Sequence, residues 1–252
     1  MSSNLQELSP VFVVGPQRTG TTLLGRILAD HEQSSFTVNC KLLYYLKVWL
    51  EASSEKESYW HFRADEIVHS LKRKPIIGVG DNFIDDVLAP VLFEVAREGA
   101  DSTGNNWDES AGLSGLVRKI MNSVHSELNP SAKFWGDKYN EYLLMLDWLR
   151  GIYPDARFVM TYRDGEAVGR SMAQRFQDRP WCPTNEEACC DKYLHWKKIW
   201  ESKALNIRPN NKLTIIYEEL VDDIMTQLRR LADFVGLDQN DLYKYSDWII
   251  KS

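Results

Sequence analysis

A chain of 252 residues with 44% hydrophobic and 12% aromatic content has the apolar material for a sizeable core, which excludes a disordered or fibrous protein. Its net charge of −6 gives no general attraction to nucleic acid or to an anionic membrane. The cysteines Cys40, Cys182, Cys189 and Cys190 lack paired C-x-x-C spacing and read as reduced thiols of a cytoplasmic protein, with no metal expected.

The first nine residues carry no basic stretch and no long apolar run, so no signal peptide is expected. Residues 11–14 (VFVV) are apolar and rich in β-branched side chains, the pattern of a buried strand. Two glycines and a proline follow in residues 15–20. Leu23, Leu24, Ile27 and Leu28 then recur at helical spacing, so a helix opens near Thr21. Strand, glycine turn and helix together bring backbone N–H groups onto an anion. Packing alone also accounts for such a turn, and the choice stays open at this point.

Residues 30–35 read as a polar exit, and residues 41–49 as an apolar helix with Tyr44, Tyr45 and Trp49. A charged, serine-rich break (53–58) precedes a helix over about 63–72; residues 75–81 are ambiguous between strand and loop, and residues 87–96 read as a helix. The composition of residues 98–112 predicts a mobile surface loop or lid. Leu116, Ile120, Val124 and Leu128 place a helix over 113–128. Residues 133–138 end a short strand, 142–153 form a helix, and 157–162 a further strand. A turn and helix occupy 163–176. The pattern TNEE at 184–187 reads as a capping box for a helix reaching about Ala204. Residues 212–217 read as a strand and 221–235 as an amphipathic helix. Alternating strands and helices predict one α/β domain over residues 1–252, a three-layer fold whose parallel sheet is flanked by helices and whose ligands bind at the strand C-termini.

The loop VVGPQRTGTT (13–22) decides which anion to expect. Gly15, Gly20 and Thr22 keep the spacing of a nucleotide triphosphate loop, but Thr21 occupies the position of its lysine, and the basic residue has moved to Arg18. A second stretch, YRDGEAVGRSMAQR (162–175), sets Arg163, Ser171 and Arg175 at spacings that suit a grip on a phosphate monoester.

These motifs resemble the sulfotransferase family that uses 3′-phosphoadenosine 5′-phosphosulfate (PAPS). The loop is similar to its 5′-phosphosulfate loop, and RFVMTYRDG followed by Ser171 to its 3′-phosphate segment. Gly136-Asp137-Lys138 resembles a lysine-bearing segment of the tyrosylprotein and related bacterial branches, which this chain is nearer to than to the cytosolic aryl branch. YEEL (217–220), followed by a helix ending FVGL (234–237), resembles the family's late strand and helix. The likeness covers roughly residues 10–240 and is loosest over 40–130.

The resemblance implies sulfuryl transfer to a hydroxyl or amine of a small-molecule, carbohydrate or peptide acceptor, with PAP released. It implies a donor site of Gly15, Gln17, Arg18, Thr19, Gly20, Thr21, Thr22, Arg163, Ser171, Arg175 and Tyr217, with Arg18 and Lys138 as catalytic cations. Glu141 is a candidate base, because Asn39 stands where the tyrosylprotein branch has a glutamate. The chain ends at Ser252, so a C-terminal loop closing over the donor is expected to be absent or reduced. A metabolite kinase on the same scaffold and a silent PAPS- or PAP-binding module are the alternatives.

Overall fold

Residues 8–52, 59–73, 75–101, 112–240 and 242–250 are described by a computed structural model. The chain runs β1 (Val11–Val14), α1 (Thr21–Asp30), β2 (Ser34–Val38), α2 (Leu42–Ala52), α3 (Tyr59–Leu71), a π-helical turn (Ile84–Leu88), α4 (Ala89–Asp101) and α5 (Gly112–Leu128). It continues with β3 (Phe134–Lys138), a 3-10 helix (Asn140–Met145), α6 (Leu146–Ile152), β4 (Arg157–Tyr162), α7 (Gly165–Phe176) and α8 (Glu186–Ala204). The last elements are β5 (Lys212–Ile216), α9 (Tyr217–Asp222), α10 (Ile224–Val235) and α11 (Ser246–Ile250).

The five strands form one parallel sheet in the order β2-β3-β1-β4-β5, as the α/β reading expects. Side chains alternate across each strand, so β1 feeds two cores. Phe12 and Val14 join Phe158 and Met160 under α2 to α6 and α8, whereas Val11, Val13 and Val159 pack with α1, α9 and α10. All four β1 residues are fully buried, which explains their unbroken apolar run. Gly136 allows close strand contact: a Cβ there would lie 2.1 Å from the Val11 carbonyl oxygen. The loop after β1 lies where the chain, having gone to one side of β1 for β2 and β3, later crosses to the other for β4. Ligands of open α/β sheets bind at such a reversal.

Several expectations need correction. The polar exit expected over residues 30–35 stops short: Ser34 and Ser35 already open strand β2, whose serines hid it. Ser34 and Ser35 are buried and satisfied, Ser35 by His125 at 2.8 Å. Residues 75–81 form no strand but make a single antiparallel bridge, Ile77 to Val38. Helix α8 is capped by Asn185, which accepts from the Ala188 N–H, rather than by Thr184. Tyr217 begins α9 instead of ending β5, and Asp223 interrupts the anticipated 221–235 helix by capping α10. Of the expected lid, residues 98–101 belong to α4, 112 opens α5, and 102–111 lie outside the described residues. The serine-rich break at 53–58 lies outside them as well. Among the described residues no helix is long and apolar enough to cross a membrane.

Candidate active site

The loop between β1 and α1 owes its shape to backbone states few residues accept. Gly15 and Gly20 have φ of 141° and 90°, and Arg18, with a side chain, is held at 68°. Two threonines pin the loop from within. Thr19 Oγ1 donates to the Pro16 carbonyl at 2.8 Å and lies 2.6 Å from Thr161 Oγ1 on β4. Thr21, where a triphosphate loop has lysine, is buried at the start of α1, while Thr22 is exposed. Gln17 is half-buried, and its Oε1 is buried with no hydrogen-bond partner. Helix α1 has no side-chain cap, so its first N–H groups stay available to an anion.

On the β4 side the structure brings the second motif against this loop. Arg18 Nε donates to Ser171 Oγ at 2.9 Å, and Arg163 Nη1 donates to the Arg18 carbonyl at 3.0 Å. The Arg163 guanidinium stacks 4.3 Å from the Tyr217 ring centroid, and Tyr217 in turn packs on Gly20. The Arg18 guanidinium lies 5.9 Å from the ring centroid of Phe176 at the end of α7. Burial lowers the Arg18 pKa first, and the like charges of Arg163 and Arg175 lower it further, against a smaller opposing effect of Tyr217. Among the described residues no carboxylate acts on it. Arg163 Nε is buried without a partner. The sequence assigned Arg18 and Ser171 to opposite ends of a ligand, yet here they touch. Such a cluster of cations suits an anion.

On the β3 side Lys138 is 3% exposed and lies on the α1 face, where Gly25 makes room for its stem. Its Nζ donates to Asn140 Oδ1 at 2.9 Å and to Asn39 Oδ1 at 3.4 Å. Burial lowers its pKa to about 8, outweighing the pull of Asp137 and Glu141 and aided by Lys41. Glu141 is half-buried in the first turn of the 3-10 helix beside the Tyr139 hydroxyl, whose pKa burial, then this carboxylate, push up.

Sequence reasoning missed two residues here. Asn140 ties Lys138 to the loop, since its Nδ2 donates to the Gly15 carbonyl at 2.6 Å and lies 3.4 Å from Thr21 Oγ1. Asp137 points to the opposite face, where it accepts from Thr37, Tyr142 and the N–H groups of Cys40 and Lys41. Burial raises its pKa more than those four bonds lower it. Asp137 thereby fixes the turn in which Asn39 and Lys41 both adopt φ of 63°. The signal available was alternation: residues 137 and 138 of one strand must face opposite ways. Beyond this turn Tyr44 meets Tyr45 and Tyr139 edge-on, with the Lys41 amine 5.0 Å from the Tyr139 ring centroid. Trp49 belongs to the core.

A model of the sulfotransferase family matches residues 10–241. The chain belongs to the sulfotransferase family. It is 22% identical over 239 residues to a putative protein-tyrosine sulfotransferase of Caenorhabditis briggsae, covering 94% of this chain and 68% of that one. It is 21% identical to protein-tyrosine sulfotransferase 2 of Gallus gallus, covering 97% of this chain and 56% of that one. The chain thus spans between about half and two thirds of its curated relatives. Among solved structures it superposes on the sulfotransferase domain from the curacin biosynthetic pathway with a TM-score of 0.60, at 15% identity over 93% of this chain and 76% of that one. For sulfotransferase STF9 from Mycobacterium avium the TM-score is 0.54, at 13% identity over 97% and 68%. These likenesses show the sulfotransferase fold.

Proposed function

We propose that this sulfotransferase takes its sulfuryl group from PAPS and releases PAP, through the residues gathered around the β1 loop. The observation that carries this reading is the convergence of Arg18, Arg163, Arg175 and Ser171, with no carboxylate among the described residues acting on Arg18. A bisphosphate suits such a cluster at both ends. The loop N–H groups, with Thr19, Gly20, Thr21 and Thr22, cradle the 5′-phosphosulfate, and the Gln17 side-chain amide donates to it through its NH₂ group. Arg163 and Ser171 hold the 3′-phosphate with help from Arg175, while Tyr217 supports Arg163. PAPS supplies a sulfuryl group whose bond to the 5′-phosphate breaks as the acceptor oxygen or nitrogen attacks. In a loose transition state of this kind the enzyme acts by positioning and charge stabilisation. Arg18 leaves Ser171 to meet the charge on the leaving phosphate, and Lys138 neutralises it from the β3 side. Glu141 receives the acceptor proton.

For the acceptor, the aromatic wall of Tyr44, Tyr45 and Tyr139 next to Lys138 favours an aromatic hydroxyl, and the names of the curated relatives agree with a peptide tyrosine. Cysteine usage favours a reducing compartment such as the cytoplasm; thiol alkylation before lysis is expected to find four free cysteines, and a recovered disulfide would remove that reading.

The deciding experiment is calorimetry with PAP and with ATP–Mg²⁺, followed by labelled PAPS with tyrosyl peptides, sugars and alcohols. PAP binding without magnesium and label transfer to a tyrosyl peptide are expected. Binding of ATP–Mg²⁺ alone would sink the donor assignment. Arg18→Ala is expected to lower kcat by about 10²–10³-fold with the fold intact; full turnover in that variant would refute its role.

A further inference from the structure

Asn140 opens the 3-10 helix two residues beyond Lys138 and is 8% exposed. Its amide is used at both ends. Oδ1 accepts from Lys138 Nζ at 2.9 Å, while Nδ2 donates to the Gly15 carbonyl at 2.6 Å and lies 3.4 Å from Thr21 Oγ1. Only a side chain with an acceptor and a donor group side by side does this. An aspartate there would turn a carboxylate oxygen toward the Gly15 carbonyl, and a leucine would offer neither atom.

The surroundings of the amine make the amide matter. Both acceptors given to Lys138 Nζ are amide oxygens, those of Asn140 and Asn39. The charged groups acting on it are Asp137 and Glu141, which favour the ammonium, and Lys41, which opposes it. Asp137 has both oxygens engaged on the other face of β3, by Thr37 and Cys40 on one and Tyr142 and Lys41 on the other. Glu141 stands beside the Tyr139 hydroxyl. Among the described residues no carboxylate caps the amine directly.

We propose that Asn140 is a positioning residue: it locks the Lys138 amine onto the donor loop, and because it is an amide in place of a carboxylate it sets the pH range over which that amine is charged. The proposal rests on the donor reading above. With the ammonium facing the leaving 5′-phosphate, PAP affinity is high while Lys138 is charged and falls as pH rises through about 8, where burial has brought the amine.

The test is PAP calorimetry between about pH 6.5 and 9.5 on the wild type, Asn140→Asp and Asn140→Leu, with melting curves to verify folding. Wild-type affinity is expected to fall about tenfold across an alkaline limb near pH 8. Asn140→Asp binds more weakly throughout, since a carboxylate now faces the bound anion, but its limb moves up by about one unit or more. Asn140→Leu moves the limb down, because the amine loses an acceptor in a buried site. A residue that served packing alone would weaken binding in both variants without moving the limb. Should a variant not fold, ¹³C NMR titration of the Lys138 side chain in the wild type reads the same quantity. PAP binding with coincident limbs, or Lys138 titrating in the ordinary lysine range, overturns this proposal alone. A wild type that fails to bind PAP at any pH removes the donor reading and this proposal with it.

Discussion

A methyl group added at Gly20 would stand 2.7 Å from the Tyr217 ring, at a φ of 90° that side chains rarely adopt. Strain and clash act together there. Gly20→Ala is expected to displace Tyr217 and, through it, the stacked Arg163, weakening PAP binding by about tenfold or more for a backbone penalty of ~1–2 kcal/mol. Calorimetry with PAP measures this, and unchanged affinity would show that the loop tolerates another shape. Gly25 acts differently. It has an ordinary helical backbone, but a Cβ would lie 3.0 Å from that of Lys138. Gly25→Ala is therefore expected to leave Arg18 and Arg163 in place while shifting the lysine.

At the scale of elements, the ends of β2 and β3 form a unit held by Asp137. Its carboxylate engages two hydroxyls and two backbone N–H groups. Asp137→Ala strands buried donors at ~1–3 kcal/mol each, so denaturant titration is expected to register a loss of about 3 kcal/mol. A loss below about 1 kcal/mol would mean that the turn re-forms without it. This unit also shows what was legible in the sequence. β1, β4 and α10 announced themselves because burial on both faces, or on one stripe, wrote an unbroken apolar signal. β2 did not, since Ser35 and Thr37 spend their hydroxyls on His125 and Asp137, partners about a hundred residues away in sequence. Arg18 and Arg163 were readable from spacing as cations at strand ends, and the fold brings them together. Asn140 was not, because its role depends on three atoms that only the fold assembles.

At the scale of the molecule, the sheet's two ends do different work. The strand C-termini hold the cations, and the opposite end holds His125, stacked 4.6 Å from Trp135 and 4% exposed. Burial holds its imidazole down to about 3. Its unfolded value lies near 6.5, so between those pH values the unfolded chain binds the extra proton. Its contribution to stability is full above about 6.5 and falls as pH drops toward 3, by at most about 1.4 kcal/mol per pH unit. His125→Phe keeps the stacking and is expected to flatten this acid limb in urea melts; an unchanged slope would assign the limb to the carboxylates.

Strand β1 sits in the middle of the sheet although it comes first in the chain. Its neighbours, β3 and β4, begin more than a hundred residues later. During synthesis, therefore, β1 has no partner until β3 emerges, and it is paired on both edges only after β4. The loop after β1, which takes its shape from Thr161 and Asn140, cannot exist before then. Nascent chains arrested with residue 150 exposed are expected to leave β1 open to protease and to ignore PAP, whereas chains arrested past α10 protect it. A cradle that reads early in the sequence is completed only by residues made much later.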